Sequence, residues 1–78
     1  MKKDKKLLER VGKNIREKRK DKGLTQEELA EKADINPKFL GKVERAETNV
    51  SLLTLAKICD ALGISICELL AFTSMDKG

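Results

Sequence analysis

An all-α bundle of five short helices is the fold class this sequence predicts, on three observations. Apolar residues recur at helical i, i+3, i+4 and i+7 spacing rather than in strict alternation. Hydrophobic residues make up 40% of the chain with only two aromatics, Phe39 and Phe72, which suits Leu, Ile and Ala packing between helices rather than a sandwich. Clear punctuation separates the apolar stretches, with cap residues at Thr25, Asn36, Ser51 and Ser65 and chain-reversing residues at Gly23, Asp34 and Gly63. The 78 residues make one domain, and a chain of this size buries about 60–65% of the surface it exposes unfolded. That leaves room for one small core and little for a deep pocket. The domain is read as residues 1–78, with a core over about 5–72 and flexible ends at 1–4 and 74–78.

The first helix is expected over 5–22, where Leu7, Leu8, Val11 and Ile15 fall at helical spacing among charges. Lys22-Gly23 closes it with a basic last turn and a glycine suited to the left-handed end position. Gly12 lies inside this helix, read either as simple tolerance or as the mark of close helix packing. Thr25-Gln26-Glu27-Glu28 forms a capping box, in which the hydroxyl accepts from the N–H of Glu28 and the carboxylate reaches back. The helix that follows buries Leu29, Ala30 and Ala33 and stops near Asp34, since Asp tolerates positive φ. Asn36-Pro37 opens the third helix, an N-cap followed by a proline that loses no hydrogen bond. Phe39, Leu40 and Val43 form its inner face, and 46–50 is the loop after it. Ser51 caps a fourth helix with Leu52, Leu55, Ile58, Cys59 and Leu62 as its apolar stripe, closed by Gly63. Ser65–Glu68 is a second capping box, starting a last helix with Ile66, Leu69 and Leu70.

Charge is unevenly spread. Residues 1–22 hold eleven basic and four acidic residues, a net of +7, and the other 56 hold six and nine, a net of −3. The asymmetry fits a polyanion partner or, equally, a solvated N-terminal arm. Cys59 and Cys67 have no histidine to join them, so they make no zinc site, and no metal or cofactor is expected. Cys59 falls on an apolar face and reads as core; Cys67 is ambiguous. There is no secretory segment and no apolar run near the roughly 20 residues of a membrane span, so the chain is read as cytoplasmic. With no histidine, metal cluster or phosphate loop, an enzyme is not expected.

The informative segment is Thr25–Arg45. Two short capped helices joined by Asp34-Ile35-Asn36 must cross at a large angle, which lets the second enter a major groove while the first crosses the backbone. The residues Ile15–Arg19, Gly23–Ala30, Phe39-Leu40, Val43-Glu44-Arg45, Asn49, Ser51-Leu52, Ile58 and Ala61–Ile64 resemble the Cro/repressor (XRE) helix-turn-helix family, over about residues 10–70. The resemblance implies a lambda-repressor-like five-helix bundle. It implies sequence-specific binding of double-stranded DNA by a bacterial or phage transcription regulator.

Carried onto this chain, the resemblance makes 37–45 the recognition helix. Its outward residues include Asn36, Pro37, Lys38 and Lys42, placed toward base edges; either lysine fits a phosphate contact as well. Gly41 either clears space for DNA or weakens the helix. Gln26 opens the preceding helix, where free N–H groups and an amide donor suit a phosphate. Arg16, Lys20, Arg45, Thr48 and Asn49 complete the expected phosphate contacts. Arg19 and Glu44 match a pair that in the family forms an internal salt bridge, so their expected role is structural. Three departures stand out: Asp34 where the turn usually has glycine, Ala46 where glycine usually follows the recognition helix, and Glu47 in a loop that is often basic. Glu47 would be repelled by phosphate unless it points away.

One recognition helix reads too few base pairs to single out an operator. A homodimer on a palindrome places two of them about 34 Å apart. The interface then lies away from the DNA, on the last helix, with Ile66, Cys67, Leu70 and Phe72 as candidates; Phe72 either anchors the interface or folds back on the core. Without an effector domain the chain looks like the compact controller proteins of restriction–modification systems, with a stand-alone repressor as the near alternative, and no small-molecule effector is expected. The competing reading is an antitoxin-type protein-binding module with autoregulatory DNA binding.

Overall fold

The computed structural model describes residues 2–71, with side chains from Lys5 onward. Five helices follow in order: α1 (Lys2–Asp21), α2 (Gln26–Ala33), α3 (Pro37–Glu44), α4 (Leu52–Leu62) and α5 (Ile66–Leu69). Among the described residues there is no strand and no helix long and apolar enough to cross a membrane. α1 starts at Lys2, earlier than the apolar pattern indicates, because Lys2–Lys6 carries no apolar residue to reveal a helical period. Phe72 and the tail 74–78 lie outside the described residues, as does Met1.

Local chemistry sets the helix ends. In α2 both halves of the capping box form: the Glu28 N–H donates to Thr25 Oγ1 at 3.0 Å, and the Thr25 N–H donates to Glu28 Oε1 at 2.9 Å. Asn36 Oδ1 accepts from the N–H of Lys38 at 2.7 Å and of Phe39 at 3.3 Å, with Pro37 in the first turn. Ser51 and Ser65 cap α4 and α5 by accepting from Thr54 and Glu68. The second expected box is half a box, since the Glu68 carboxylate lies 3.9 Å from Lys18 Nζ instead.

The first four helices end in one way. A residue in the left-handed region follows each, and the N–H of the residue directly after it reaches back across the last turn, as Leu24 does to Arg19, Ile35 to Ala30, Glu47 to Lys42 and Ile64 to Cys59. Gly23 and Gly63 hold two of these positions, and Asp34 (φ 59°) and Ala46 (φ 61°) hold the other two.

The core gathers Val11, Ile15, Leu29, Ala30, Ala33, Leu40, Val43, Leu55, Ile58, Cys59, Leu62 and Leu69. α1 packs on α3, α2 on α3 and α4, and α5 on α1 and α4. The Asn14 amide donates to the Leu69 carbonyl, tying α1 to the end of α5. Burial pushes the Cys59 thiol up, helped by Asp60 and Glu68, whereas Cys67 is exposed. Two expectations are corrected. Leu52 is 70% exposed and does not belong to the α4 stripe, because it occupies the first helical position, where no neighbouring element covers it. Leu7 is 48% exposed for the same kind of reason, lying a turn before α1 meets the bundle at Val11.

Candidate nucleic-acid interface

Gly12 sets the distance between α1 and α3. A Cβ built there would stand 2.5 Å from the Val43 carbonyl oxygen and 2.6 Å from that of Glu44, so only glycine lets the helices approach this closely. Of the two readings of Gly12, the structure selects close packing. Directly above, Arg19 Nε donates to Glu44 Oε2 at 2.8 Å and Nη2 to Oε1 at 3.0 Å. Arg19 Nη1 donates to the Leu24 carbonyl at 2.9 Å, and the Gln26 amide donates to Glu44 Oε1 at 2.9 Å. One carboxylate, 1% exposed as a side chain, thus ties α1 and α2 to α3, and its partner Arg19 adds the turn after α1. Among the described residues, no buried side-chain polar atom lacks a partner.

This anchoring fixes the outer face of α3. Gln26, Glu27, Pro37, Lys38, Gly41, Lys42 and Arg45 line one open depression across α2 and α3. A second, adjoining it, is lined by Arg16, Arg19, Gln26, Glu44 and Arg45. Pro37, Lys38 and Lys42 are exposed, and so is Arg16. Lys20 is exposed one turn after Arg16 on the same side of α1. Thr48 is half-buried and Asn49 exposed in the loop before α4. The structure therefore brings Pro37, Lys38, Lys42, Gln26, Arg16 and Arg45 to one cationic surface.

Three site residues are partly engaged within the chain. Asn36 spends its side-chain oxygen on the α3 cap, which leaves its amide N–H groups for other partners. Gln26 directs an N–H to Glu44. Arg45 forms a two-bond pair with Glu47, Nε to Oε2 at 3.0 Å and Nη2 to Oε1 at 3.1 Å. Those bonds hold the Glu47 carboxyl below its usual range and raise Arg45. Gly41 is buried because the Arg45 guanidinium lies over it, 3.1 Å from where a Cβ would sit. The sequence reading does not find the Arg45–Glu47 pair. Its i, i+2 spacing is not a helical neighbour spacing; only the reversal at Ala46 brings the two side chains together. Glu27, on the rim of the cleft, is also missed.

On α5, Ile66 and Leu70 are half-buried against the core and Cys67 is exposed. α5 packs on α1 and α4, while α3 packs on α1 and α2.

The Helix-turn-helix (HTH_3) family profile matches residues 15–69. The control protein C.SmaI of Serratia marcescens is 40% identical over 64 residues, covering 82% of this chain and 76% of the relative. The restriction-modification controller protein C.AhdI of Aeromonas hydrophila superposes with a TM-score of 0.78 at 42% identity, over 80% of this chain and 94% of that one. SinR, known by sequence from Bacillus subtilis, has been solved in complex with DNA. That structure matches at 39% identity with a TM-score of 0.72, over 77% of this chain and 97% of that one.

Proposed function

The chain belongs to the Cro/repressor-type helix-turn-helix family, and from that premise we propose that it binds a palindromic operator as a homodimer, with α3 in the major groove. The family is one of DNA-binding transcription regulators. The observation that carries the reading is the cleft across α2 and α3, where Lys38 and Lys42 stand exposed beside Gln26 and Arg45. Lys38, Lys42 and Pro37 read base edges, joined by the remaining amide donors of Asn36. Gln26, Arg16, Lys20, Arg45, Thr48 and Asn49 hold phosphates on either side. Dimerisation through α5 and the residues that follow it in sequence, by Ile66, Cys67, Leu70 and Phe72, keeps both recognition helices on one face of the duplex. α5 packs mainly on α1 and α4, and of these only α1 is also a main neighbour of α3, which supports this arrangement. The control proteins among the relatives support the narrower reading of a regulator of control-protein type, a binding role rather than a catalytic one.

Selection from random duplexes tests the proposal. The expected consensus has two-fold symmetry with half-sites one helical turn apart, and sedimentation shows a dimer that Phe72→Asp dissociates. On the selected site, Lys38→Ala costs on the order of 1–3 kcal/mol and relaxes one base position, while Gln26→Ala weakens all sequences alike. A selection that enriches nothing sinks the operator reading. A Lys38→Ala loss equal on selected and random DNA removes its base-reading role.

A further inference from the structure

The cationic face of α3 carries a carboxylate that does not fit a simple phosphate-binding surface. Glu47 lies just past the helix end, and both its oxygens are taken by Arg45. The pair is exposed, at 57% for the Arg45 side chain and 51% for Glu47. Backbone geometry holds it there. Ala46 at φ 61° reverses the chain, and the Glu47 N–H donates to the Lys42 carbonyl at 2.8 Å, which swings residue 47 back beside residue 45. The Arg45 guanidinium itself is central, since it lies over Gly41 and lines both depressions, next to Arg16 and Gln26 on one side and Lys42 on the other.

We propose that Glu47 is a specificity-determining residue of DNA binding: it competes with DNA phosphate for the Arg45 guanidinium, so Arg45 joins the DNA only where the whole interface seats closely. This rests on the DNA-binding reading above. Non-specific binding is almost entirely phosphate charge. A protein that withholds one arginine and presents one carboxylate is penalised most in that loose mode. At the operator, base contacts draw α3 into the groove and bring a phosphate within reach of Arg45. An exposed ion pair is weak enough in water to be exchanged for that phosphate. Glu47 thus widens the ratio of specific to non-specific affinity, the quantity that selects an operator in a genome.

The test is a double-mutant cycle in the full chain, with Glu47→Gln, Arg45→Ala and the pair of changes together. Each is titrated on a random-sequence duplex across a salt series and on the duplex that selection yields. Glu47→Gln should tighten random DNA roughly three- to tenfold near 0.1 M salt and steepen the salt slope by about 0.9, the value of one phosphate contact. The gain on the selected duplex should be smaller. On random DNA, Arg45→Ala should cost less while Glu47 is in place, where it uncovers the carboxylate but removes no phosphate contact, than in the Glu47→Gln background, where it removes one. An equal or larger Arg45→Ala loss with Glu47 in place overturns the competition, because Arg45 is then already on the DNA. Equal Glu47→Gln gains on random and selected duplexes overturn the specificity role. A wild type that binds no duplex at any salt overturns the DNA-binding reading itself. Melting curves that match the wild type identify the variants as folded.

Discussion

Glu44 and Arg45 are neighbours in sequence, and each takes part in a two-bond arginine–glutamate pair. The Arg19–Glu44 bonds are 2.8 and 3.0 Å long, and the Arg45–Glu47 bonds are 3.0 and 3.1 Å. The donors and acceptors are the same atoms in the same pattern. Burial separates the two pairs: their side chains are 10% and 1% exposed in the first, and 57% and 51% in the second. The first has lost its water and gained Gln26 and the Leu24 carbonyl as further partners. It holds three helices in register and cannot open without leaving a charge stranded. The second keeps its water, so its partners can be exchanged. Solvent access, and not the chemistry of the pair, makes one a structural tie and leaves the other free to take part in binding.

The largest break in that contrast comes from Arg19→Ala. Glu44 would keep its carboxylate in a nearly closed site with the Gln26 amide as its remaining side-chain donor. Stranding one member of a buried pair costs about 3–5 kcal/mol, and a domain of this kind has only about 5–15 kcal/mol in all. Each kcal/mol moves the midpoint by roughly 4–8 °C, so thermal melting by circular dichroism should fall by more than ten degrees. Glu44→Ala should cost less, since the longer Arg19 can turn toward water. Melting of Arg19→Ala alongside the wild type would erase the distinction between the two pairs.

Next in size is Gly12→Ala, which attacks the buried pair from below. The added methyl would sit 2.5 Å from one backbone oxygen and 2.6 Å from another, and backbone cannot swing aside as a side chain can. α1 and α3 must part, which also draws Arg19 away from Glu44. Overpacking of this kind costs about 1–3 kcal/mol, against about 1 kcal/mol gained in helix propensity. A net loss is expected in chemical denaturation. A variant more stable than the wild type would show that the helices have room to adjust.

These two sites also mark what the sequence makes legible. Helix ends are written locally, by Thr25 with Glu28, by Asn36-Pro37 and by Ser51, so the elements and their order can be read in advance. The family-matched residues place the cleft across α2 and α3 for the same reason. Tertiary distance is not local. Gly12 reads two ways until the carbonyls of Val43 and Glu44 are seen against it. Leu52 has the phase of a core residue and none of the cover. Arg45 and Glu47 meet only because an alanine adopts the left-handed region between them.

That alanine carries a smaller prediction. Ala46 sits at φ 61°, where a residue with a Cβ is strained by about 1–2 kcal/mol and glycine is not. Its methyl is buried, and losing it returns about 0.8 kcal/mol. Ala46→Gly should therefore raise stability by a few tenths to about 1 kcal/mol, seen as a rise of a few degrees in melting temperature. A fall would mean that the buried methyl outweighs the strain.

The smallest effect should come from the exposed pair, and its smallness is the point. Glu47→Gln keeps the shape of the side chain and removes its charge. Exposed ion pairs gain little in water, because screening and the ordering of two long side chains offset the attraction. The Arg45 bonds hold the Glu47 carboxyl below its usual range. A carboxyl with a lowered folded-state pKa adds stability above its unfolded value and loses it as pH falls through the folded one. Whatever the pair adds is therefore fully present at neutral pH, so the comparison belongs there, where it is largest. Even so, the melting temperature of Glu47→Gln at pH 7 should match the wild type at both 0.05 and 0.5 M salt. A drop like that of Arg19→Ala would mean that Arg45 and Glu47 are a second structural tie. The division between a buried tie and an exchangeable pair would then fail at its weaker member.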